Sequence, residues 1–251
     1  MKISLITVCK NSKDSIERTI QSVLSQTYKN IEYIIIDGAS SDGTLSIINN
    51  YKNKVSLIIS ENDNGVYDAM NKGLKHANGD IIGFINADDF FANKYCVNNI
   101  ANHFKKNNAD IVYGDINLVA KNQKLIHVWR ANKFKKNSFI HGWHPPHPAF
   151  YAKRRVYNIV GDFDCNLEFS ADFDFMFRAF EMHFFKVEYL PEVLVNYTLG
   201  GGSSKNLKNI IIGNYNIFKS LKKNKANINF FYYFFKRLTP KLCRFIKHKI
   251  L

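Results

Sequence analysis

Ile81-Ile82-Gly83-Phe84-Ile85-Asn86-Ala87-Asp88-Asp89 is an apolar run that stops, without a spacer, on two adjacent carboxylates. A run of five apolar residues reads as a strand covered on both faces, as parallel strands are. Upstream, Ile3–Val8 and Ile31–Asp37 have the same character, and Val55–Ile59 reads as a further strand. Between them the period changes. Ser12–Ser25 places Ile16, Ile20, Val23 and Leu24 at helical spacing, Asp42-Gly43-Thr44 opens a second helix, and Asp68–His76 is a third. This βαβ alternation predicts an α/β domain with a doubly wound sheet.

In such sheets ligands bind beyond the carboxyl ends of the strands. Thr7, Asp37 and the Asn86–Asp89 cluster fall on those ends, so the fold would bring them to one rim. Adjacent carboxylates there are unfavourable unless a cation neutralises them. A hard ion such as Mg²⁺ or Mn²⁺ suits Asp88 and Asp89, and would hold a diphosphate. The same residues also suit an N-cap for the following helix, and the local pattern leaves both readings open. In Asp37-Gly38-Ala39-Ser40-Ser41-Asp42-Gly43-Thr44, Asp42 reads as a helix cap, whereas Asp37 has the chemistry to accept from a base or ribose.

The second half is more mixed. Ile111–Tyr113, Leu125–Trp129 and Val187–Tyr197 read as strands and Phe169–Met182 as a helix. Ser138–Pro148 is a loop in which His141, His144 and His147 recur at three-residue spacing. Pro145, Pro146 and Pro148 exclude a regular helix there, so the spacing implies no common zinc face. Gly200-Gly201-Gly202-Ser203-Ser204 predicts a joint, dividing a domain over 1–204 from a tail over 205–251.

Charge follows the same division. The net charge is +14, yet no Asp or Glu occurs after Glu192, while twelve Lys or Arg lie between Lys205 and Lys249. The first 192 residues balance 23 basic against 21 acidic side chains. The tail adds the run Phe230–Phe235 and an amphipathic pattern over Lys241–Leu251, with Leu242, Phe245, Ile246 and Ile250 on one face. Basic and aromatic residues together predict docking on an anionic membrane through residues 225–251, rather than nucleic-acid binding. Packing of the aromatics onto the sheet is the plainer alternative.

Other classes are disfavoured. No GxGxxG follows the first strand and no GxxxxGK[ST] occurs, which argues against a dehydrogenase and a P-loop kinase. Cys9, Cys96, Cys165 and Cys243 lack CxxC spacing, so neither zinc nor a disulfide framework is indicated. The opening residues carry no leader pattern and no apolar run reaches 18 residues, so a cytoplasmic setting is expected, peripheral on the inner membrane face.

The blocks quoted above resemble the family-two glycosyltransferases of GT-A fold. So do Asn64-Gly65-Val66-Tyr67-Asp68-Ala69-Met70-Asn71-Lys72-Gly73 and His144-Pro145-Pro146-His147-Pro148-Ala149-Phe150-Tyr151. Ser170-Ala171-Asp172-Phe173-Asp174-Phe175-Met176-Phe177-Arg178 and Gly200–Ser203 continue the match in the family's order. The likeness is to the branch that builds bacterial surface polysaccharide and lipopolysaccharide.

The resemblance implies a mixed sheet flanked by helices, and a metal-dependent transferase of the hexosyl type that uses Mg²⁺ or Mn²⁺. It implies a nucleotide-diphosphate sugar as donor and a saccharide or lipid-linked acceptor. Thr7 and Asp37 match residues that hold the nucleotide base, Asn71 a donor-site asparagine, and Asp88 the principal metal ligand. Asn86 stands where the family's first acid usually is and can bond a ribose. Asp172 matches the catalytic base of an inverting displacement, with Glu168 and Asp174 the neighbouring carboxylates; Asp174 is placed to pair with Arg178. His147 is the best candidate of its loop to line the acceptor or diphosphate pocket. The processive synthases' Gln-x-x-Arg-Trp motif is missing, which favours single-sugar transfer.

Two rivals differ in kind. A sugar nucleotidyltransferase would carry a Gly-rich loop after the first strand, and Val8-Cys9-Lys10-Asn11-Ser12 has no glycine. A non-catalytic membrane- or nucleic-acid-binding module would leave Asp88, Asp89 and Asp172 unexplained.

Overall fold

β1 (Ile3–Cys9) is buried along its whole length in the computed structural model of the chain. The structure describes residues 1–200, 207–226, 228 and 233. β2 (Ile31–Asp37) and β4 (Ile81–Phe84) pair in parallel on either side of β1, and β3 (Leu57–Ser60) pairs in parallel with β2. Alternate side chains of these strands enter two separate cores. Ile6, Val8, Ile34 and Ile36 meet Ala69 and Met70 of α3 (Val66–His76), while Ile3, Leu5, Tyr33 and Ile35 meet Ile16, Ile20 and Val23 of α1 (Ile16–Leu24). Cover on both faces is why the strands read as continuous apolar runs rather than alternating ones. Gly73 lets α3 lie close: a Cβ there would stand 2.4 Å from Ile6 Cγ2. The short α2 (Thr44–Asn49) connects β2 to β3.

Beyond β4 the chain adds β5 (Phe90–Phe91), α4 (Cys96–Asn107), β6 (Ile111–Val119), β7 (Leu125–Trp129), β8 (Phe150–Lys153) and α5 (Arg154–Val160). α6 (Ala171–Phe177), β9 (Val187–Thr198) and α7 (Leu207–Lys223) complete it. The sheet order is β3-β2-β1-β4-β8-β6-β9-β5, with β7 paired to β6. β8 is antiparallel to both neighbours, and β9 is parallel to β6, so the sheet is mixed, as expected for a GT-A architecture. β6 changes partner along its length, pairing with β8 at Ile111–Tyr113 and with β7 at Ile116–Val119.

Several boundaries differ from the sequence reading. The helix expected over Phe169–Met182 starts at Ala171 and loosens into one π-type turn at Arg178–Met182. Arg178 accounts for part of this: its guanidinium is held by Asp174 and by the carbonyls of Val160 and Asp162. The third strand begins at Leu57 rather than Val55. β8 and α5 had no periodic signature, and the His/Pro loop before them forms two single 3₁₀ turns.

Of the basic tail, α7 packs on the body. Ile217 and Leu221 lie in the same core as Phe173 and Phe177 of α6, and Tyr233 is buried there too. The Lys241–Leu251 pattern and the rest of the Phe230–Phe235 run lie outside the described residues, as does most of 225–251. No helix among the described residues is long and apolar enough to cross a membrane.

Candidate active site

The carboxyl ends of the parallel strands form one rim, and the polar clusters lie along it. Asp37 ends β2 beside Cys9 of β1. It is fully buried. Ser40 gives it a backbone N–H at 3.1 Å and a hydroxyl at 2.5 Å, and the Ser60 hydroxyl donates at 2.7 Å. The carboxylate therefore folds the 37–42 loop onto the ends of β2 and β3. Cys9 Sγ lies 3.6 Å from it, and burial with this adjacent charge pushes the thiol far up. Thr7 is likewise buried, its hydroxyl 3.0 Å from Tyr33 Oη. Asp42 accepts the amide and hydroxyl of Thr44 at 3.0 and 2.6 Å, a turn that leads into α2, whose N-cap is Gly43 rather than Asp42; those bonds lower its pKa to about 2.

The two carboxylates after β4 have different surroundings. Asp89 is fully buried. It accepts the Thr198 amide at 2.9 Å and Asn86 Nδ2 at 2.9 Å, so it ties the end of β9 to the 86–89 turn. Burial, with Asp88 beside it, raises Asp89 well above the usual carboxylate range. Asp88 is half-buried and takes no hydrogen bond from another residue's side chain among those described; burial raises it as well. Its backbone carbonyl is gripped by Arg18 at 2.7 Å and by the Thr198 hydroxyl at 2.6 Å. Arg18 also stacks over Phe90, 4.5 Å from the ring centre. The turn is thus fixed through backbone and Asp89, and the Asp88 carboxylate is the member left available. One carboxylate that is desolvated and takes no side-chain donor fits a divalent ion whose remaining ligands are phosphate oxygens and water. No group of three or more His, Cys, Asp or Glu able to hold a metal occurs among the described residues, His141, His144 and His147 included.

Across the rim, Asp172 stands in the first turn of α6, preceded by Ser170 in the left-handed region (φ 74°). Tyr67, in the first turn of α3, donates its phenol to Asp172 Oδ1 at 2.9 Å and accepts the Ser170 amide at 2.9 Å. Burial, and the carboxylate it faces, hold the Tyr67 phenol well above its ordinary pKa, so it stays protonated as a donor. His147, just before β8, packs against Phe84, Phe150 and Phe163. Its Nε2 is buried without a hydrogen-bond partner. Burial drives the imidazole pKa down, and the nearby Asp172 charge opposes this only in part. Asn71 faces the 163–165 loop: its amide exchanges both hydrogen bonds with the Phe163 backbone at 2.9 Å.

The structure thus brings Thr7, Asp37, Asn86, Asp88, Asp89, His147 and Asp172 to one end of the sheet. Thr7 and Asn71 have their polar atoms engaged within the protein, and Asp89 is a framework residue of its turn. Tyr67, Arg18 and Thr198 carry contacts that the sequence did not assign. Tyr67 sits inside a quoted block, so its place was marked though not its task. Arg18 is one polar residue on an amphipathic helix, and Thr198 ends a strand, so neither had a distinguishing pattern.

Comparison with known proteins bears on the family and the fold. The sequence model of the family "Glycosyl transferase family 2" matches residues 4–166. The PGL/p-HBAD biosynthesis glycosyltransferase of Mycobacterium bovis is 28% identical over 194 residues, covering 75% of this chain and 73% of that protein. The Escherichia coli UDP-Glc:alpha-D-GlcNAc-diphosphoundecaprenol beta-1,3-glucosyltransferase WfaP is 43% identical over 103 residues, which is 41% of this chain and 40% of its own. Among solved structures, S. aureus TarS 1-349 in complex with UDP superposes with a TM-score of 0.69 at 21% identity, over 88% of this chain and 65% of that one. On the family match and the sheet that carries it, the chain belongs to glycosyl transferase family 2 and has the GT-A fold.

Proposed function

We propose that the chain moves a single sugar, with inversion at the anomeric carbon, from a nucleotide-diphosphate sugar to a hydroxyl of a saccharide or lipid-linked acceptor in cell-surface polysaccharide synthesis. The observation that supports this most is the Asp172 carboxylate, half-buried on the rim and oriented by Tyr67. An inverting displacement needs one such carboxylate on the acceptor side. It takes the hydroxyl proton as the oxygen attacks the anomeric carbon from the face opposite the departing diphosphate. The Tyr67 hydrogen bond leaves Oδ2 as the oxygen free for that proton. Neutral His147 beside it adds no competing positive charge.

On the donor side, Thr7 and Asp37 frame the pocket for the nucleotide base at the ends of β1 and β2, and Asn86 faces the ribose. Asn71 acts through the Phe163 loop that it holds. Asp88 would hold Mg²⁺ or Mn²⁺, whose chemistry there is to neutralise the charge developing on the leaving diphosphate. On this reading Asp89 orders the turn and Asp88 alone is the protein ligand, a narrower assignment than the pair suggested by the sequence. UDP in TarS and the lipid-linked acceptor of WfaP support this donor and acceptor class. The proposed setting is the cytoplasmic face of the membrane.

The test is a panel of nucleotide-sugars screened by thermal shift with and without Mn²⁺. The best donor is then incubated with a diphospholipid-linked sugar and the product's anomeric configuration read by NMR. A stabilised donor complex and an inverted product are expected. Retention of configuration, or no donor that binds, would sink the proposal.

A further inference from the structure

α7 has two unlike faces. Toward the body, the Gly213 carbonyl accepts the Ser170 hydroxyl at 3.2 Å, and Ser220 Oγ and Asn224 Nδ2 donate to Asp174 at 2.6 and 3.0 Å. At about 100° per residue, Lys208, Ile211, Tyr215, Lys219 and Lys222 fall within about 80° of one another on the opposite side. All five are exposed, Ile211 to 60% and Tyr215 to 65%.

We propose that this face of α7 seats on an anionic lipid bilayer. An aliphatic and an aromatic side chain ringed by lysines is the chemistry of a helix lying in a membrane interface. The lysines meet anionic headgroups while the isoleucine and the tyrosine ring enter the acyl boundary. No carboxylate occurs in α7 or anywhere after Glu192, so the helix itself carries no side chain that repels such a surface. A second copy of the chain is a poor occupant, since a two-fold contact would set lysine against lysine.

The placement has a consequence for the site. Ser170, bonded to Gly213 on the inner face of α7, lies two residues before Asp172. α7 thus backs the segment that carries Asp172, and a bilayer seated on its outer face would lie about one helix diameter, 10–12 Å, from that segment, within reach of a hydroxyl carried on a lipid. The docking itself does not rest on the transfer reaction and is read without donor or acceptor.

The experiment is co-sedimentation of the full chain with vesicles of phosphatidylethanolamine and phosphatidylglycerol, against vesicles of phosphatidylcholine alone. Binding to the anionic vesicles only, weakened by salt, is expected. Ile211→Glu with Tyr215→Glu should lower partitioning about tenfold or more, as should Lys208→Glu, Lys219→Glu and Lys222→Glu together. Serine at Ile211 and Tyr215, a milder change, should act in the same direction with the melting temperature unchanged. Indifference of the full chain to anionic vesicles overturns the proposal, as does wild-type binding by the variants. A lipid-free dimer that the glutamate pair dissolves overturns it in favour of self-association. Early melting of the serine pair with binding intact overturns it in favour of a face covered within the fold.

Discussion

The Tyr67 phenol and the Asp172 carboxylate are joined by a 2.9 Å hydrogen bond across 105 residues of sequence. Because the same oxygen accepts the Ser170 amide, Tyr67 fixes both the Asp172 carboxylate and the backbone that delivers it. α3 packs on the parallel strands and α6 belongs to the second half of the chain, so this contact ties the two halves together at the rim.

Tyr67→Phe keeps the ring and removes only the hydrogen bonds. Its kcat should fall about tenfold, roughly the worth of one hydrogen bond to a charged group, while the donor's Kd is unchanged. A change confined to KM would assign Tyr67 to binding instead.

Asp172→Asn should lower transfer by about 10²–10⁴-fold, the range for a positioned base, and leave nucleotide-sugar affinity intact. Calorimetry and a radiolabelled-sugar assay on one preparation separate the two effects. If transfer persists near the original rate, the base lies elsewhere, and exposed Glu168 is the next residue to change.

Asp88→Ala and Asp89→Ala should fail differently. Asp88 has no side-chain partner to lose, so its variant should melt normally and lose the Mn²⁺-dependent part of nucleotide-sugar affinity. Asp89 holds the Thr198 amide and Asn86, so its variant should lose about 1–3 kcal/mol of stability. Equal Mn²⁺-dependent affinity in wild type and Asp88→Ala would remove Asp88 from the metal site.

These contrasts show what the sequence could and could not tell. The parallel strands were legible because cover on both faces makes β1, β2 and β4 uniformly apolar, and the rim followed from their ends. Asp88 and Asp89 were legible as a pair but not as two environments: what buries and holds Asp89 includes the Thr198 amide, a contact that spans 109 residues. Asn71 was marked only by its match to a donor-site asparagine, and the Phe163 backbone that its amide bonds is announced by no periodicity. β8 went unread because four residues after a proline-rich loop carry no period of their own.

His147 supplies a pH-dependent term. Burial lowers its folded pKa below the unfolded value of about 6.5, so the unfolded chain binds the proton more readily. Stability should be complete above that value and decline as pH falls below it. His103 is shifted the same way and adds to the slope. His147→Phe should flatten the dependence of melting temperature on pH between about 7.5 and 5.5 relative to the parent. An unchanged slope would mean that His147 titrates normally.

Asp174 makes the last and most structural case. It is fully buried and accepts from Arg178 Nε at 2.8 Å, just past the end of α6, from Ser220 on α7 and from Asn224 just after it. The pairing with Arg178 was legible from the i,i+4 spacing; the clasp on α7 was not, because it crosses the glycine joint. With Ile217 and Leu221 in the core beside it, the clasp makes α7 part of the fold's support. Asp174→Ala would take the carboxylate partner from a largely buried guanidinium and an acceptor from a hydroxyl and an amide, at a cost of about 3–5 kcal/mol. A chain ending at residue 204 would lose the same contacts and uncover apolar core besides. Both should melt well below the parent, and the truncated chain should lose more. If the truncated chain melts like the parent, residues 1–204 fold independently and the clasp is dispensable.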